Sequence, residues 1–493
     1  MKRVYEIHKV VRLGLLWVTV AMMAFPAVVQ AHFILATNED TITIIGYSGS
    51  DDNLTIPDTI NGLPVTGIGY QAFQWCNSLT NVTIGTNVTI IGDNAFFFCS
   101  NLIGVTIPAS VISIGVEVFW LCSSLNHISV DESNPVYRSL NGALLDKSQG
   151  TLIQYPGGIA GNYSIPDNVT NIGYGAFSYG VLSSVTFPDN VINIGEHAFY
   201  WCKSLTNVMI GNGVTNIGGE AFEGCANLAS VTIGANVTKI GYEAFYSCSN
   251  LTSVTMGNSV TDIGSWAFYH CTKLTNITFP DSLTSIGKDA FSNCHSLNRV
   301  MIPDNVTNIG VGAFVSCSSL TNVTIPNGVV SIKGGISGGG TFAHCTALTR
   351  VVIGSGVTNI EYQGFYACPS LSRVYFLGNA PSLGSDVFTG DNNATIFYLP
   401  ETLNWESSLG DRPTMLWNPQ VKANDNNFGV GENGFGFTIT GTTNLVIMVE
   451  ACTNLADPVW FPLGTNTITN GASSFSDPEW ASYPERFYRF RAW

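Results

Sequence analysis

The stretch LTNVTIGTNVTIIGDNAFFFCSN, residues 79–101, shows the unit from which most of this 493-residue chain is built. Aligned with itself at a shift of 23 residues, the chain repeats one phenylalanine in thirteen units, with an interruption after the third. The pattern L-T-x-V-T-I-P-x-x-V-T-x-I-G-x-x-A-F-x-x-C-x-x predicts an array of similar units rather than one compact core. The repeated phenylalanines are Phe73, Phe96, Phe119, Phe177, Phe199, Phe222, Phe245, Phe268, Phe291, Phe314, Phe342, Phe365 and Phe388.

Each unit contains two extended segments. In LTNVTI, Val82 and Ile84 alternate with Asn81 and Thr83, which predicts a short strand with the two aliphatic side chains inside and the two polar ones outside. A second extended segment, VTIIG at 88–92, ends at a glycine that indicates a tight corner. Two short strands per unit are therefore expected.

The third part of each unit carries the phenylalanine. Phe96, Cys99 and Leu102 stand at positions i, i+3 and i+6, a spacing typical of an irregular or 3₁₀ helical turn that faces the core. One coil cannot bury this apolar edge alone, but stacked coils can, with equivalent strands paired in a parallel sheet about 4.8 Å apart. We therefore predict a β-rich solenoid of 23-residue coils with a parallel sheet and short helical or 3₁₀ turns.

A cysteine follows the phenylalanine by three positions in eleven units. A metal site needs convergent pairs of ligands, and catalysis needs one distinct cysteine beside a base, so this column predicts neither a metal site nor a catalytic residue. Buried free thiols that fill space are the favoured interpretation, and disulfides between neighbouring coils are the alternative. The column contains Cys76, Cys99, Cys122, Cys202, Cys225, Cys248, Cys271, Cys294, Cys317, Cys345 and Cys368.

The ends of the chain depart from the repeat. Residues 1–31 combine a basic segment, an apolar run and small residues before His32, which predicts a signal peptide and a secreted mature chain without a membrane span. Residues 32–69 are expected to form an N-terminal cap and first coil. The solenoid is predicted over 70–418, and a small antiparallel β-sandwich over 419–493.

Composition narrows the function. The formal net charge of -15 would repel nucleic acid, and no cluster of basic residues beyond the N-terminus offsets it. Nucleic-acid partners are therefore excluded, and no residue pattern predicts a cofactor. An acidic column that includes Glu220, Glu243 and Asp289 has the chemistry of a glycosidase pair or a calcium site, but nothing in the sequence selects one pair, so a solvated face is favoured.

The preferred binding surface is aromatic. Because the repeated phenylalanine and cysteine are predicted to point inward, the residues just after the phenylalanine should be partly exposed, where rings stack on sugars or anchor a protein. The alternative is that these rings cover the corner of each coil. Outward strand positions add a threonine stripe that includes Thr83 and Thr324. The candidate binding residues are Trp75, Phe97, Trp120, Tyr200, Trp201, Tyr246, Tyr269 and Tyr366.

The units SLTNVTIPNGVVSI and AFxxC resemble the BspA-like class of bacterial leucine-rich repeats over roughly residues 42–400. The stretch 130–166, which interrupts the period and has turn signals at Asn141–Gly142 and Lys147–Gly150, is similar to the hairpin insertion of such arrays. The resemblance implies a secreted or cell-surface protein that binds an extracellular protein or glycan, often in adhesion, and it carries over no catalytic residues. A polysaccharide-degrading enzyme on a β-solenoid and a structural surface-layer protein are the alternatives.

Overall fold

The computed structural model describes residues 32–335 and 339–492, so the predicted signal peptide at 1–31 lies outside the described residues. The described chain winds into a stack of coils that is followed by two antiparallel sheets. Each regular coil has a longer first strand, a two-residue second strand and a run of turns. The predicted solenoid is therefore confirmed.

The first strands pair in parallel, in register with the sequence period. Val208 lies opposite Val231, which in turn lies opposite Val254 in the next coil. The strands are Asn53–Thr55, Asn81–Thr83, Gly104–Ile107 and His127–Val130 before the interruption, then Gly161–Ser164, Leu182–Thr186, Asn207–Met209, Ser230–Thr232, Ser253–Thr255 and Asn276–Thr278, and, after a bridge at Arg299, Asn322–Ile325, Arg350–Ile353, Arg373–Phe376, Thr395–Tyr398 and Arg412–Leu416. The short strand Ser408–Leu409 pairs antiparallel with the last of them.

The second strands form a second parallel stack. They are preceded at the N-terminus by Phe33–Thr37, which pairs antiparallel with Ile42–Tyr47 and covers that end of the sheet. The members are Ile42–Tyr47, Leu63–Ile68, Ile90–Ile91 and Ser113–Ile114, then Thr151–Gln154, Asn171–Ile172, Asn193–Ile194, Asn216–Ile217, Lys239–Ile240, Asp262–Ile263, Ser285–Ile286 and Asn308–Ile309, and finally Ser331–Ile332, Asn359–Ile360 and Ser382–Leu383. The short strand Thr59–Ile60 pairs antiparallel with Leu63–Ile68.

The core contains a column of stacked rings between the two stacks of strands, with a break at the interruption. All thirteen repeated phenylalanines are buried. Phe245 stacks on Phe222 and on Phe268 at 5.2 Å between ring centroids, with planes within 7° of parallel. Burial of each ring contributes about 1.5–3 kcal/mol, so the column is a large part of what offsets the loss of chain entropy. Gly241 at the corner lies so close to the preceding coil that a Cβ would stand 2.4 Å from the carbonyl oxygen of Gly218.

The third part of the coil forms successive turns and not the helical turn predicted. The Phe245 amide donates to the Ala267 carbonyl of the next coil at 2.8 Å, while the adjacent Tyr246 amide donates to Glu243 within its own coil at 3.0 Å. This alternation requires left-handed backbone at two positions of the turn segment that are four residues apart, with φ of 52° at Glu243 and 56° at Ser247. A helix is incompatible with it, because helical amides all point along one axis. The one 3₁₀ helix of the described residues is Trp480–Ser482.

The cysteines follow the phenylalanine column as free thiols, and ten of the eleven column members are fully buried. The thiols are also hydrogen-bonded: Sγ of Cys248 donates to the carbonyl oxygen of Phe222 in the preceding coil at 3.2 Å, and Cys271 donates to Phe245 in the same way. The side chain thus fills space, as expected, and satisfies a second lone pair of a buried carbonyl.

Within the interruption, Tyr137–Leu140, Ala143–Asp146 and Thr151–Gln154 pair antiparallel in that order. Tyr155 then takes the place of the repeated phenylalanine and stacks on Phe177 at 5.1 Å. The buried apolar residues on the two sides of this segment form two separate clusters, and Leu144 belongs to one while Leu145 belongs to the other. The solenoid core is therefore divided here.

The C-terminal strands form two antiparallel sheets that share a core with the last coils. One sheet contains Gln420–Lys422, Gly429–Gly431, Gly434–Thr440 and Ala472–Asp477, and the other contains Val446–Cys452, Phe461–Thr467 and Phe487–Ala492.

The outward threonine stripe contains other residue types where the two C-terminal sheets, here called the C-terminal module, pack against the solenoid. In register with Thr324, successive coils present Val352, Tyr375 and Phe397. Tyr375 and Phe397 are buried in one cluster with Phe437 of the module. The stripe thus becomes apolar and buried where the C-terminal sheets cover it, whereas Met209 of the same stripe is exposed. In the described part of the chain, no helix has the length and hydropathy that a membrane span requires.

Candidate functional site

The candidate aromatic residues lie on the turn edge, which we define as the turns that follow the second strand of each coil. Residues one place after the repeated phenylalanine have an ordinary right-handed backbone, while Trp75 and Trp201, two places after it, have φ of 63° and 56°. These two indoles are the exposed members, with 56% and 37% of their surface accessible. Phe97, Trp120, Tyr200, Tyr246, Tyr269 and Tyr366 are half-buried.

The candidates divide into three groups. The first is a chain of ring contacts in which Trp75 meets Phe97 at 6.0 Å, Phe97 meets Trp120 at 6.0 Å, and Trp120 meets Tyr200 at 5.9 Å. Trp201 continues it, 6.2 Å from Tyr200.

The other two groups are smaller. Tyr246 and Tyr269 stack at 4.9 Å with planes 7° apart. Tyr366 contacts His344 at 5.4 Å. The groups are separate because non-aromatic residues occupy the aromatic position in the coils between them, namely Glu223, Ser292, Val315 and Ala343. The eight residues therefore do not form one continuous surface.

At the interruption, the first group is extended by ring contacts with residues that were not predicted as binding residues. The segment after Tyr155 offers no outer ring, so Trp120 contacts Tyr179 at 5.7 Å and His197 at 6.3 Å across it. Tyr174 lies 4.9 Å from His197. Tyr179 stands two places after Phe177, and His197 stands two places before Phe199. Both have left-handed backbone, with φ of 58° and 56°, and these two positions relative to the phenylalanine were the signal in the sequence that could have found them.

Carboxylates surround this group of rings. Tyr174 donates its hydroxyl to Oε1 of Glu117 at 3.0 Å. Nε2 of His197 lies 2.8 Å from Oε2 of Glu220, and Tyr242 donates to the other oxygen of Glu220. A carboxylate oxygen accepts, so Nε2 of His197 donates to Glu220. Nδ1 is buried and has no hydrogen-bond partner among the described residues.

The pKa values of two neighbouring glutamates, Glu220 and Glu223, are shifted in opposite directions. Burial raises the pKa of Glu223 to about 8, and the charges of Glu220 and Glu243 add to this effect. Burial also acts to raise the pKa of Glu220, but the hydrogen bonds from His197 and Tyr242 outweigh it and hold that pKa below the usual range. Glu223 is thus the group that holds a proton near neutral pH.

Glu220, Glu223 and Glu243 are the residues that could hold a cation, since one carboxylate oxygen from each lies within 4.8 Å of the others. Glu220 and Glu243 were predicted to belong to an acidic column, whereas Glu223 was not. Glu223 belongs to the aromatic position of its coil, and only the stacking of adjacent coils brings it between the other two.

The stacked coils, the parallel sheet and the ring-lined turn edge define a leucine-rich repeat solenoid. The model of the BspA type leucine rich repeat region matches residues 47–146, 160–261, 238–337 and 336–408, which together make up most of the chain. The chain belongs to this family. The comparison thereby confirms the resemblance that the repeated units predicted.

Solved structures of other bacterial leucine-rich repeat proteins are similar to the chain. One from Eubacterium ventriosum is 26% identical with a TM-score of 0.48, and the match covers 58% of this chain and 92% of that one. A leucine rich cell surface protein from Faecalibacterium prausnitzii is 29% identical with a TM-score of 0.41, covering 67% and 95%. One from Bacteroides ovatus is 24% identical with a TM-score of 0.45, covering 76% and 85%. No curated protein matches the chain.

Proposed function

We propose that the chain is a secreted or cell-surface binding protein, an adhesion or interaction scaffold that holds an extracellular protein or glycan against its turn edge. The BspA-type family is one of surface and secreted scaffolds, which supports this placement. The observation that carries the proposal is the unbroken contact chain from Trp75 to Trp201, with an exposed indole at each end.

The mechanism follows from the geometry. Rings held by packing against one another lose little conformational entropy when a ligand binds, so each exposed face contributes most of its contact energy. The contacts are shallow and repeat from coil to coil. Affinity therefore grows with the number of coils that a ligand spans, as in other extended repeat surfaces.

The test is an array of glycans and extracellular matrix proteins probed with the mature chain. Replacing an aromatic anchor by alanine commonly costs about 2 kcal/mol of binding, so Trp75→Ala with Trp201→Ala should abolish capture of the ligand that the wild type binds. Phe461→Ala is the matched control, because Phe461 is 59% exposed in the C-terminal module. Equal binding by the double variant and the wild type would refute the turn edge as the binding surface.

A polysaccharide hydrolase is the second candidate, favoured by one observation. Glu220 and Glu223 are adjacent carboxylates, one ionised and one protonated near neutral pH, which is how a general acid and a nucleophile or base differ. If the chain is a hydrolase, it should release reducing sugar from a polysaccharide. This activity should be lost in Glu223→Gln and kept in Glu432→Gln, because Glu432 is an exposed residue of the C-terminal sheets. Absence of release from any polysaccharide would remove this candidate.

A further inference from the structure

We propose that a cleft at the interruption of the solenoid binds a cationic side chain, a lysine or arginine of an extracellular protein; this rests on the proposed binding function. The cleft lies where coil stacking stops. The strand Ser113–Ile114 is the edge of its sheet, and the Ile114 amide donates to the hydroxyl of Tyr137 at 3.0 Å instead of to a following second strand.

The cleft has the size of one long side chain. Its volume is about 230 Å³, below the range of pockets that enclose a drug-sized molecule. Aliphatic side chains of Val116, Leu144 and Ile153 line it. Its polar lining side chains are those of Glu117, Tyr137, Gln154 and Tyr174, and Glu117 is the one carboxylate among them. A hydrated metal ion gains nothing from aliphatic walls, whereas the methylene stem of lysine or arginine packs on them and leaves its charged head at the carboxylate.

Three carboxylates lie near the polar end of the cleft. The hydroxyl of Tyr174 lies within the field of Glu117, Glu220 and Glu196. Among the described residues, Glu117 and Glu196 form no ion pair with lysine or arginine. The whole chain has a formal net charge of -15, so an anionic ligand is repelled and a cationic one is attracted.

The first aromatic group already holds a cation of this chain. Nζ of Lys203 lies 4.5 Å from the ring centroid of Trp201, which does not itself line the cleft. His197, whose ring contacts Tyr174 of the cleft, has a buried Nδ1 without a hydrogen-bond partner among the described residues.

The experiment measures fluorescence polarisation of a fluorescein-labelled peptide, GKGGKGGKGGKG, with the full mature chain at about 150 mM salt, where long-range attraction is screened beyond about 8 Å. The wild type should bind it and should not bind the same peptide after acetylation of its lysines. Glu117→Gln should weaken binding roughly tenfold relative to Glu432→Gln, because both variants remove one charge but only one of them lies in the cleft.

A second pair of variants covers the case in which Glu117→Gln folds poorly. Val116→Lys places a cation of the chain at the cleft and should compete with the peptide, while Val330→Lys adds the same charge at a remote site that is 60% exposed. Thermal unfolding of all four variants establishes that they are folded.

Equal weakening by the cleft and control variants would overturn the proposal, since it would show only diffuse attraction to the net charge. Binding of a neutral glycan or an acidic protein on the array, with no binding of the lysine peptide, would overturn the cationic ligand and leave the turn edge as a binding surface. If the chain binds neither the peptide nor any member of the array, both this inference and the proposed function fail.

Discussion

Cys248 donates its thiol to the carbonyl oxygen of Phe222, 3.2 Å away in the preceding coil, and this carbonyl also accepts the amide of Cys225 in its own coil. The same relation recurs along the column, for example from Cys271 to Phe245. The cysteine thus links two adjacent coils through a polar contact inside an apolar core. Buried thiols are small enough for this position and still offer a donor.

The hydrogen bond can be separated from the filling of space by three substitutions at Cys248. Serine keeps a donor of similar size, alanine leaves a small cavity without a donor, and valine fills the volume without a donor. We expect serine to cost less than about 1 kcal/mol and alanine about 1–2 kcal/mol of the free energy of unfolding, measured in urea. Valine better tolerated than serine would mean that the thiol acts only as an apolar side chain.

Thiol reactivity separates the buried column from its first member. Burial raises the pKa of Cys202, Cys294 and Cys345 to about 12, and it does so for Cys76 as well. Since the thiolate is the reactive species, native protein at pH 8 should react slowly with a thiol reagent, with Cys76 first because it alone in the column is not fully buried. Unfolding without reductant should release all twelve thiols, whereas a lower count would reveal disulfides.

The phenylalanine column provides the largest expected effect on stability. Phe245 is fully buried between Phe222 and Phe268, so Phe245→Ala leaves a cavity that the stacked coils cannot close. The cost should be about 3–5 kcal/mol in the free energy of unfolding. The control Phe461→Ala removes the same ring from an exposed site and should cost far less. Similar losses for both would show that the column does not hold the coils together.

Much of this architecture could be predicted from the sequence, because Phe96 and Val82 recur with a fixed spacing and burial at that spacing leaves few alternatives. The helical turn was wrongly predicted, since Phe96, Cys99 and Leu102 also face inward from consecutive turns whose amides alternate between coils. Spacing within one unit does not distinguish these two backbones. Hydrogen bonds to the next coil decide between them, and no single unit contains that information.

The candidate site was less accessible to sequence reasoning for a related physical reason. Trp75 and Trp201 follow from the repeat, but the pairing of Glu117 with Tyr174 depends on how the interruption folds. The antiparallel strands of the interruption bring together two coils that are far apart in the periodic alignment. Glu223 was missed because the period assigns it to an aromatic position.

The left-handed positions give a further stability prediction. Ser247 has φ of 56°, a conformation that costs a residue with a Cβ about 1 kcal/mol or more and that a β-branched side chain adopts only with strain. Ser247→Val should therefore lower the free energy of unfolding by about 1–3 kcal/mol. Ser247→Gly should leave it unchanged within about 1 kcal/mol, because relief of strain and gain of unfolded-state entropy oppose one another. Equal stability of the valine variant would contradict the alternating turn backbone.

The protonation of Glu223 makes stability depend on pH. Its pKa in the folded chain is about 8, above the ordinary glutamate value of 4.5 that applies to the unfolded chain, because it is buried next to Glu220 and Glu243. The unfolded state therefore releases this proton at lower pH than the folded state does, and the contribution to stability that is complete below pH 4.5 is lost as the pH rises towards 8. Glu223→Gln, which cannot ionise, should raise the melting temperature over the wild type at pH 8 and match it near pH 4. The exposed Glu432→Gln should shift the melting temperature at neither pH. If the melting temperature of the wild type instead rises relative to that of Glu223→Gln between pH 4 and pH 8, the Glu223 carboxylate is ionised and stabilised in the folded chain.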